Sequence, residues 1–209
     1  MQDEQREDAL QIELVGGRPC LDFANHRERM LGDADPYGRL IELSLAMHLL
    51  ELPEANALLL RAEKRHDGRH AVVRRVDELG AALTSLFTAV AHVADVSVAA
   101  LSVLNRETAN AYANAEISPR GPGLEWRWRA SSPPAPDRPL WPVARDAADL
   151  LTARDPQRIK LCASEPCRWL FLDESKNGRR RWCDMAVCGN RAKARRYRER
   201  QRVATEAYS

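Results

Sequence analysis

The chain has 209 residues, 44% hydrophobic and 30% charged, with a formal net charge of +2. That composition is globular, and the length suits one large domain or a medium domain with a small one. No apolar run approaches the length of a membrane helix, and the acidic start Met1-Gln-Asp-Glu-Gln-Arg-Glu-Asp8 lacks the basic-then-apolar order of a signal peptide. A cytoplasmic protein is expected.

Gln11–Val15 alternates and meets Gly16-Gly17, which predicts a short strand or extended lead-in and a turn. Pro19–His26 opens a helix with Leu21, Phe23 and Ala24 inward. Asp33–Pro36 reads as a loop. An apolar helix then runs from Leu40 to Leu50, ends before Pro53, and Pro53 opens the next. Asp67-Gly68 marks a break. From His70 to about Ala94 apolar residues recur three or four apart, from Val72 to Val90. Ser97 is the expected N-cap of another helix. Leu124–Arg129 alternates as an edge or hairpin strand after the turn at Pro119–Gly123. Ser131–Pro136 is a connector, and Trp141-Pro142 opens a last helix through Leu151.

The final quarter differs. Cys162, Cys167, Cys183 and Cys188 form two pairs, C-x4-C-x15-C-x4-C. Two close pairs of soft ligands across a hairpin-sized span suit one tetrahedral zinc ion with no open position, a structural site. Disulfides or four unrelated thiols are the alternatives, and a reducing compartment argues against the first. The C-x4-C spacing also departs from the C-x-x-C of dithiol oxidoreductases. Cys20 is isolated and reads as a small buried hydrophobe. Trp169–Leu172, a turn at Lys176–Gly178 and a return strand Arg179–Trp182 predict a hairpin between the pairs. Arg191–Arg200 predicts a helix. Knuckle, hairpin and helix make a treble clef, favoured over a zinc ribbon. The expected fold is mainly α: a helical domain with a small β element over residues 1–154, and a treble-clef-like zinc unit with four cysteine ligands over 155–209.

Charge is divided between these parts. Residues 158–202 hold fourteen Lys or Arg against five Asp or Glu, whereas 1–157 hold eighteen against twenty-four. A basic segment of this kind suggests a polyanion partner. On a helix, Arg191, Arg195, Arg198 and Arg202 share a face, and Lys193, Arg196 and Arg200 broaden it. Arginine forks suit phosphate oxygens and guanine edges. Arg179, Arg180 and Arg181 would hold the backbone. The alternatives are a solvated helix, an RNA contact, a protein contact, or docking on the acidic body. Specific reading by one module would call for a homodimer.

The body carries no phosphate-binding glycine loop, no G-x-S-x-G and no H-E-x-x-H, so an enzyme is not expected. Asp67-Gly68 should separate His66 from His70. His48 and His92 fall inside apolar helix patterns and read as partly buried. Cys20, Asp22, Asn25 and His26 would line a pocket for a small effector or cap the first helix, with capping favoured for Asp22 and Asn25. Trp126, Trp128 and Trp141 read as core or covering residues.

Cys183-Asp-Met-Ala-Val-Cys-Gly-Asn-Arg191, with Trp169–Ser175 and Asn190–Arg195, resembles the CGNR zinc finger over about residues 158–200. Gly17-Arg-Pro-Cys-Leu-Asp-Phe-Ala-Asn25 resembles the start of the ABATE domain that precedes this finger in its family, with His26 where relatives commonly have Thr. The resemblance implies the four cysteines as ligands and a bacterial stress-related transcription regulator that binds DNA. It gives Gly189 a close backbone approach beside the metal. Asn190 would bond a cysteine sulfur or cap backbone groups, and Arg191 would contact phosphate or pin the hairpin through Asp173 or Asp184. A zinc-dependent protein–protein or RNA-binding adaptor is the alternative function.

Overall fold

The computed structural model describes residues 12–64 and 66–206. Among the described residues six helices build the body: α1 (Pro19–Leu31), α2 (Pro36–Ala46), α3 (Leu52–Lys64), α4 (His66–Ala91), α5 (Val98–Ala113) and α6 (Leu140–Leu151). Strands β1 (Ala115–Arg120) and β2 (Gly123–Trp128) form an antiparallel hairpin after α5. Beyond α6 come β3 (Ile159–Leu161), β4 (Leu170–Leu172) and the long helix α7 (Asn190–Glu206). No helix among the described residues is long and apolar enough to cross a membrane. The fold is mainly α, as expected.

The longest body helix, α4, lies against most of the others. Its inward residues Val72, Val76, Leu79, Leu83, Leu86 and Phe87 are buried, in the three-and-four rhythm of the sequence. Leu21 and Phe23 of α1, Leu40 and Ile41 of α2, and Val143 and Leu150 of α6 complete this core. Ser97 caps α5 by accepting the Ala100 N–H at 3.3 Å. Helix α1 takes its cap from another helix. Arg18 at its N-cap makes no side-chain cap bond. Asp146 of α6 accepts the Cys20 N–H at 3.0 Å and the Arg18 guanidinium at 2.5 Å, placing a carboxylate at the positive end of α1.

Local expectations fail at several boundaries. Residues 12–15 form no strand, and Gln11 lies outside the described residues. Helix α2 starts at Pro36, in the supposed loop, because proline fits a first helical turn. It stops at Ala46 rather than Leu50, where His48 takes a positive φ of 56°. Helix α4 runs through Asp67-Gly68, so His66 and His70 share one helix four residues apart. A glycine in a first turn loses little, since those N–H groups lack intrahelical partners anyway. His48 and His92 are exposed at helix ends, not partly buried. In the hairpin Ile117 faces Trp126, and Trp128 reaches back to Trp141 with ring centroids 6.0 Å apart. Trp141 is core, but Trp126 is 50% exposed.

A buried polar hub ties α4, α5 and α6 together. Glu107 is buried on α5 and accepts from Arg75 of α4 at 2.6 Å and from Arg106 at 3.1 Å. Asp137 accepts from Arg75 at 2.9 Å, Asn110 at 2.8 Å and the Trp141 indole at 3.1 Å. Burial opposes ionisation of Asp137, but these bonds outweigh it and hold its carboxyl below the usual range. Arg75→Met should therefore lower stability in urea by about 3 kcal/mol, since it strands Glu107 and Asp137 without their shared cation. Adding Glu107→Met should recover part of that loss, and strict additivity would contradict the hub.

Candidate metal centre and nucleic-acid interface

The first cysteine pair sits on the turn between β3 and β4. Cys162 follows β3, and its N–H donates to Trp169 O at 2.8 Å. The N–H groups of Cys167 and Arg168 both donate to Ser164 O, at 2.9 and 3.0 Å, closing a knuckle in which Arg168 takes a φ of 54°. The second pair lies at the entrance to α7. Asp184 accepts the Val187 N–H at 2.7 Å, opening one π-helical turn, Met185–Gly189. A Cβ on Gly189 would collide with the Met185 sulfur.

The hairpin differs from the expected one. Strand β4 pairs with β3 in the register Ile159↔Leu172, and residues 179–182 form no strand. What shapes that return segment is a buried carboxylate. Asp173 accepts from Lys160 Nζ at 2.6 Å, Arg180 N–H at 2.8 Å, Ser175 N–H at 3.1 Å and Ser175 Oγ at 2.5 Å. Burial works against the charge, yet these four donors hold the carboxyl far below its usual range. Gly178 turns the loop with a φ of 58°. Arg181 O accepts the Ala163 N–H at 2.8 Å, which draws the second cysteine pair toward the first.

All four cysteine sulfurs lie within 4.8 Å of one another. Cys167 and Cys183 are 3.5 Å apart, and Cys183 and Cys188 are 3.9 Å apart. Zinc–sulfur bonds of about 2.3 Å place tetrahedral sulfurs roughly 3.8 Å apart, so the set fits zinc and is too wide for disulfides. Two of the thiols resist ionisation. Burial and the neighbouring thiols push Cys188 up to about 11, and Cys183 higher still. Burial also opposes ionisation of Cys162, but backbone bonds from Cys183 and Ser164 outweigh it and lower its pKa. A divalent cation supplies the missing charge.

This centre is fastened to the body by α1. The Asn25 amide pairs both ways with the backbone of Leu170: Nδ2 donates to Leu170 O at 2.9 Å, and Leu170 N–H donates to Oδ1 at 2.8 Å. Leu172 N–H donates to Gly16 O at 2.8 Å. Trp169 packs on His26, with centroids 5.1 Å apart, and under the Arg29 guanidinium. Ile159 and Leu170 belong to the core of the body. Asn25 is thus a clasp between the two parts and caps nothing in its own helix.

Asp22 does tie the chain at the start of α1, since its Oδ1 accepts the N–H groups of Val15 and Gly16 at 3.0 and 2.8 Å. Cys20, Asp22 and His26 are buried in packing and line neither of the cavities described below. Burial pushes the Cys20 thiol well up. His26 donates from Nδ1 to Asp22 O at 2.9 Å, and burial lowers its pKa.

Helix α7 is exposed along its length from Arg191 to Arg202, apart from a half-buried Ala192. It packs at its base on the π-helical turn. At 3.6 residues per turn, Arg191, Arg195, Arg198 and Arg202 form one stripe. Lys193, Arg196 and Arg200 form a second on about the opposite side, rather than broadening the first. Arg202 pairs with Glu199 at 3.2 Å. Arg191 is exposed and bonds neither Asp173 nor Asp184, which are engaged elsewhere. Asn190 is the exposed first residue of α7, and among the described residues its side chain bonds no cysteine. Arg180 donates to Cys183 O at 2.6 Å and covers Phe171, while Arg181 stacks on Trp182. Arg179 is exposed. A cleft of about 450 Å³ lies over the thiols, lined by Leu14, Arg29, Trp169, Cys167 and Arg191 among others. Sequence reasoning missed Lys160, whose partner Asp173 is thirteen residues away.

A helical body clasped to a four-cysteine zinc finger defines the class of protein. Residues 17–154 match the ABATE family, described as "Putative stress-induced transcription regulator", and residues 158–201 match the CGNR zinc finger. The chain belongs to the ABATE family and carries a CGNR zinc finger, in which the four cysteines fit one structural Zn2+. No curated protein matches it. Neither family description is of an enzyme.

Two outcomes check this geometry. Asn25→Ala should cost about 1–3 kcal/mol in chemical denaturation and raise amide exchange in β4, with one zinc per chain retained. Unchanged exchange in β4 would contradict the clasp. The second concerns Asp22, whose carboxyl burial raises from 3.8 to about 6, against the N–H groups of Gly16 and Val15 and with help from Asp146. The folded value exceeds the unfolded one, so folding takes up a proton and stability falls as pH rises from about 4 to 6. Asp22→Asn keeps an acceptor for both N–H groups. Its stability relative to the parent should grow across that window by about 2 kcal/mol, and parallel profiles would contradict the assignment.

Proposed function

We propose that this protein is a transcription regulator that binds duplex DNA through its zinc unit, under control of a sensing helical body. The carrying observation is α7, a basic helix exposed on all sides and anchored at its base beside the cysteine cluster. A helix with no apolar face gains little from its own fold, and a partner completes its environment. Two opposite basic stripes suit a helix in the major groove of B-DNA, where phosphates flank it on both sides. The deep, narrow groove of A-form RNA does not admit one. In this reading Arg195 and Arg198 contact phosphates or guanine edges, with Arg191, Lys193, Arg196 and Arg202 beside them. Arg179 and Arg181 hold the backbone, and Arg180 has a structural share in positioning Cys183. The four cysteines hold the zinc, and the metal's part is to fix the entrance to α7. A homodimer supplies the second half-site. The unit boundaries near residue 154 follow the same reading.

A second reading rests on a different surface. Ile117, Leu124 and Trp126 on one face of the β1–β2 hairpin are 60%, 73% and 50% exposed. That apolar face favours an adaptor that holds another protein.

The test measures duplex affinity against salt for the zinc-loaded chain and for Arg195→Ala plus Arg198→Ala. The parent should lose affinity steeply with salt, and the double variant should bind more weakly with its log–log slope reduced by about two. Equal slopes in both proteins, with zinc retained, would point to the adaptor instead.

A further inference from the structure

The body holds a cavity that neither the zinc centre nor the basic helix uses. It measures about 380 Å³ and opens between α2, α3, the first turns of α4 and the segment before α6. Its walls include Leu58, Ala62 and Pro136, which are apolar, the buried Tyr37, and two cations, Arg61 and Arg69. Among the described residues, no carboxylate lines it. Asp35 approaches Arg69 only at 3.8 Å, too far for a hydrogen bond, and its side chain is mostly exposed.

The polar groups are held in place. Arg61 Nη1 donates to the carbonyls of Pro134 at 2.9 Å and Pro133 at 3.4 Å. This fixes the plane of the guanidinium and leaves its other N–H groups without a protein acceptor among the described residues. Tyr37 Oη donates to Pro136 O at 2.9 Å, so its lone pairs can still accept. The described lining therefore offers donors of one charge sign, fixed geometry and an apolar wall.

We propose that this cavity binds a small organic carboxylate with a compact apolar body. A carboxylate matches the fork of an arginine, and two guanidiniums oblige the ligand to be an anion. The apolar wall separates this ligand from inorganic phosphate, which has nothing to bury against Leu58 and Ala62. The volume falls at the small end of ligand pockets, about 300–1,000 Å³. Pro136 on the wall adjoins Asp137, the residue that joins Arg75, Asn110 and Trp141, so a ligand here bears on the hub of the body. That regulatory meaning rests on the sensing role proposed above, whereas binding itself is measured without nucleic acid.

The experiment titrates the zinc-loaded full chain by calorimetry at constant ionic strength with benzoate, with benzamidinium as the cation of the same shape, and with inorganic phosphate. Benzoate should bind saturably with one site, and the other two should not compete with it. Arg69→Gln should weaken benzoate by about tenfold or more, and Arg61→Lys, which keeps a donor for the Pro134 carbonyl but loses the fork, should do likewise. Far-ultraviolet dichroism and zinc content should stay at the parent's values in both variants. Absence of saturable benzoate binding, equal binding of benzamidinium or phosphate, or affinity unchanged in a folded Arg69→Gln variant would each overturn the proposal. Duplex-DNA affinity of the same variants without carboxylate should match the parent, so a failed binding test leaves the DNA reading standing.

Discussion

Four cysteine sulfurs within 4.8 Å of one another, a set that fits one zinc ion, set the terms for this structure. The segment from Ile159 to the start of α7 has few apolar residues of its own: Phe171, Trp169, Trp182 and Val15 from the lead-in pack around the cysteines. A core of that size does not hold a fold. Metal binding supplies the difference, and it does so by joining a knuckle to a helix entrance about twenty residues further on. Once the cysteines converge, the π-helical turn and the first residues of α7 have a fixed place.

The zinc unit is also not left to itself. Leu170 is held edge-on by the Asn25 amide, and its side chain enters the same core as Leu21 and Leu83. Helix α1 is in turn capped by Asp146 of α6. A chain of packed and hydrogen-bonded groups thus runs from the polar hub of the body to the metal centre. Under the proposed function this continuity is where the body would act on the finger, and coupling measurements give that action a value.

Much of this was legible because it is local. Ligand spacing is a sequence-local property, so Cys162, Cys167, Cys183 and Cys188 announced their cluster. The helical body followed from apolar periodicity in α4 and from the Ser97 cap. What escaped notice depends on distant partners. Nothing near Asn25 says that its amide meets a backbone 145 residues away. Ile159-Lys-Leu161 is too short to signal a strand, whereas the segment 179–182 reads as one, and it is β3 that pairs with β4. Lys160 and Asp173 then shape that segment without pairing it. Pro36 and Gly68 look like loop residues, but each sits in a first helical turn, where a proline fits and a glycine loses little.

Under the proposed function a zinc-organised basic helix reads duplex DNA. The most direct measurement compares fluorescence anisotropy of the zinc-loaded chain on random duplex DNA and on single-stranded RNA of equal length, before and after chelation, at low salt. Tight duplex binding, weaker RNA binding, and loss of the duplex signal on zinc removal are expected. Undetectable duplex binding by a folded, zinc-loaded chain at low salt would contradict that function.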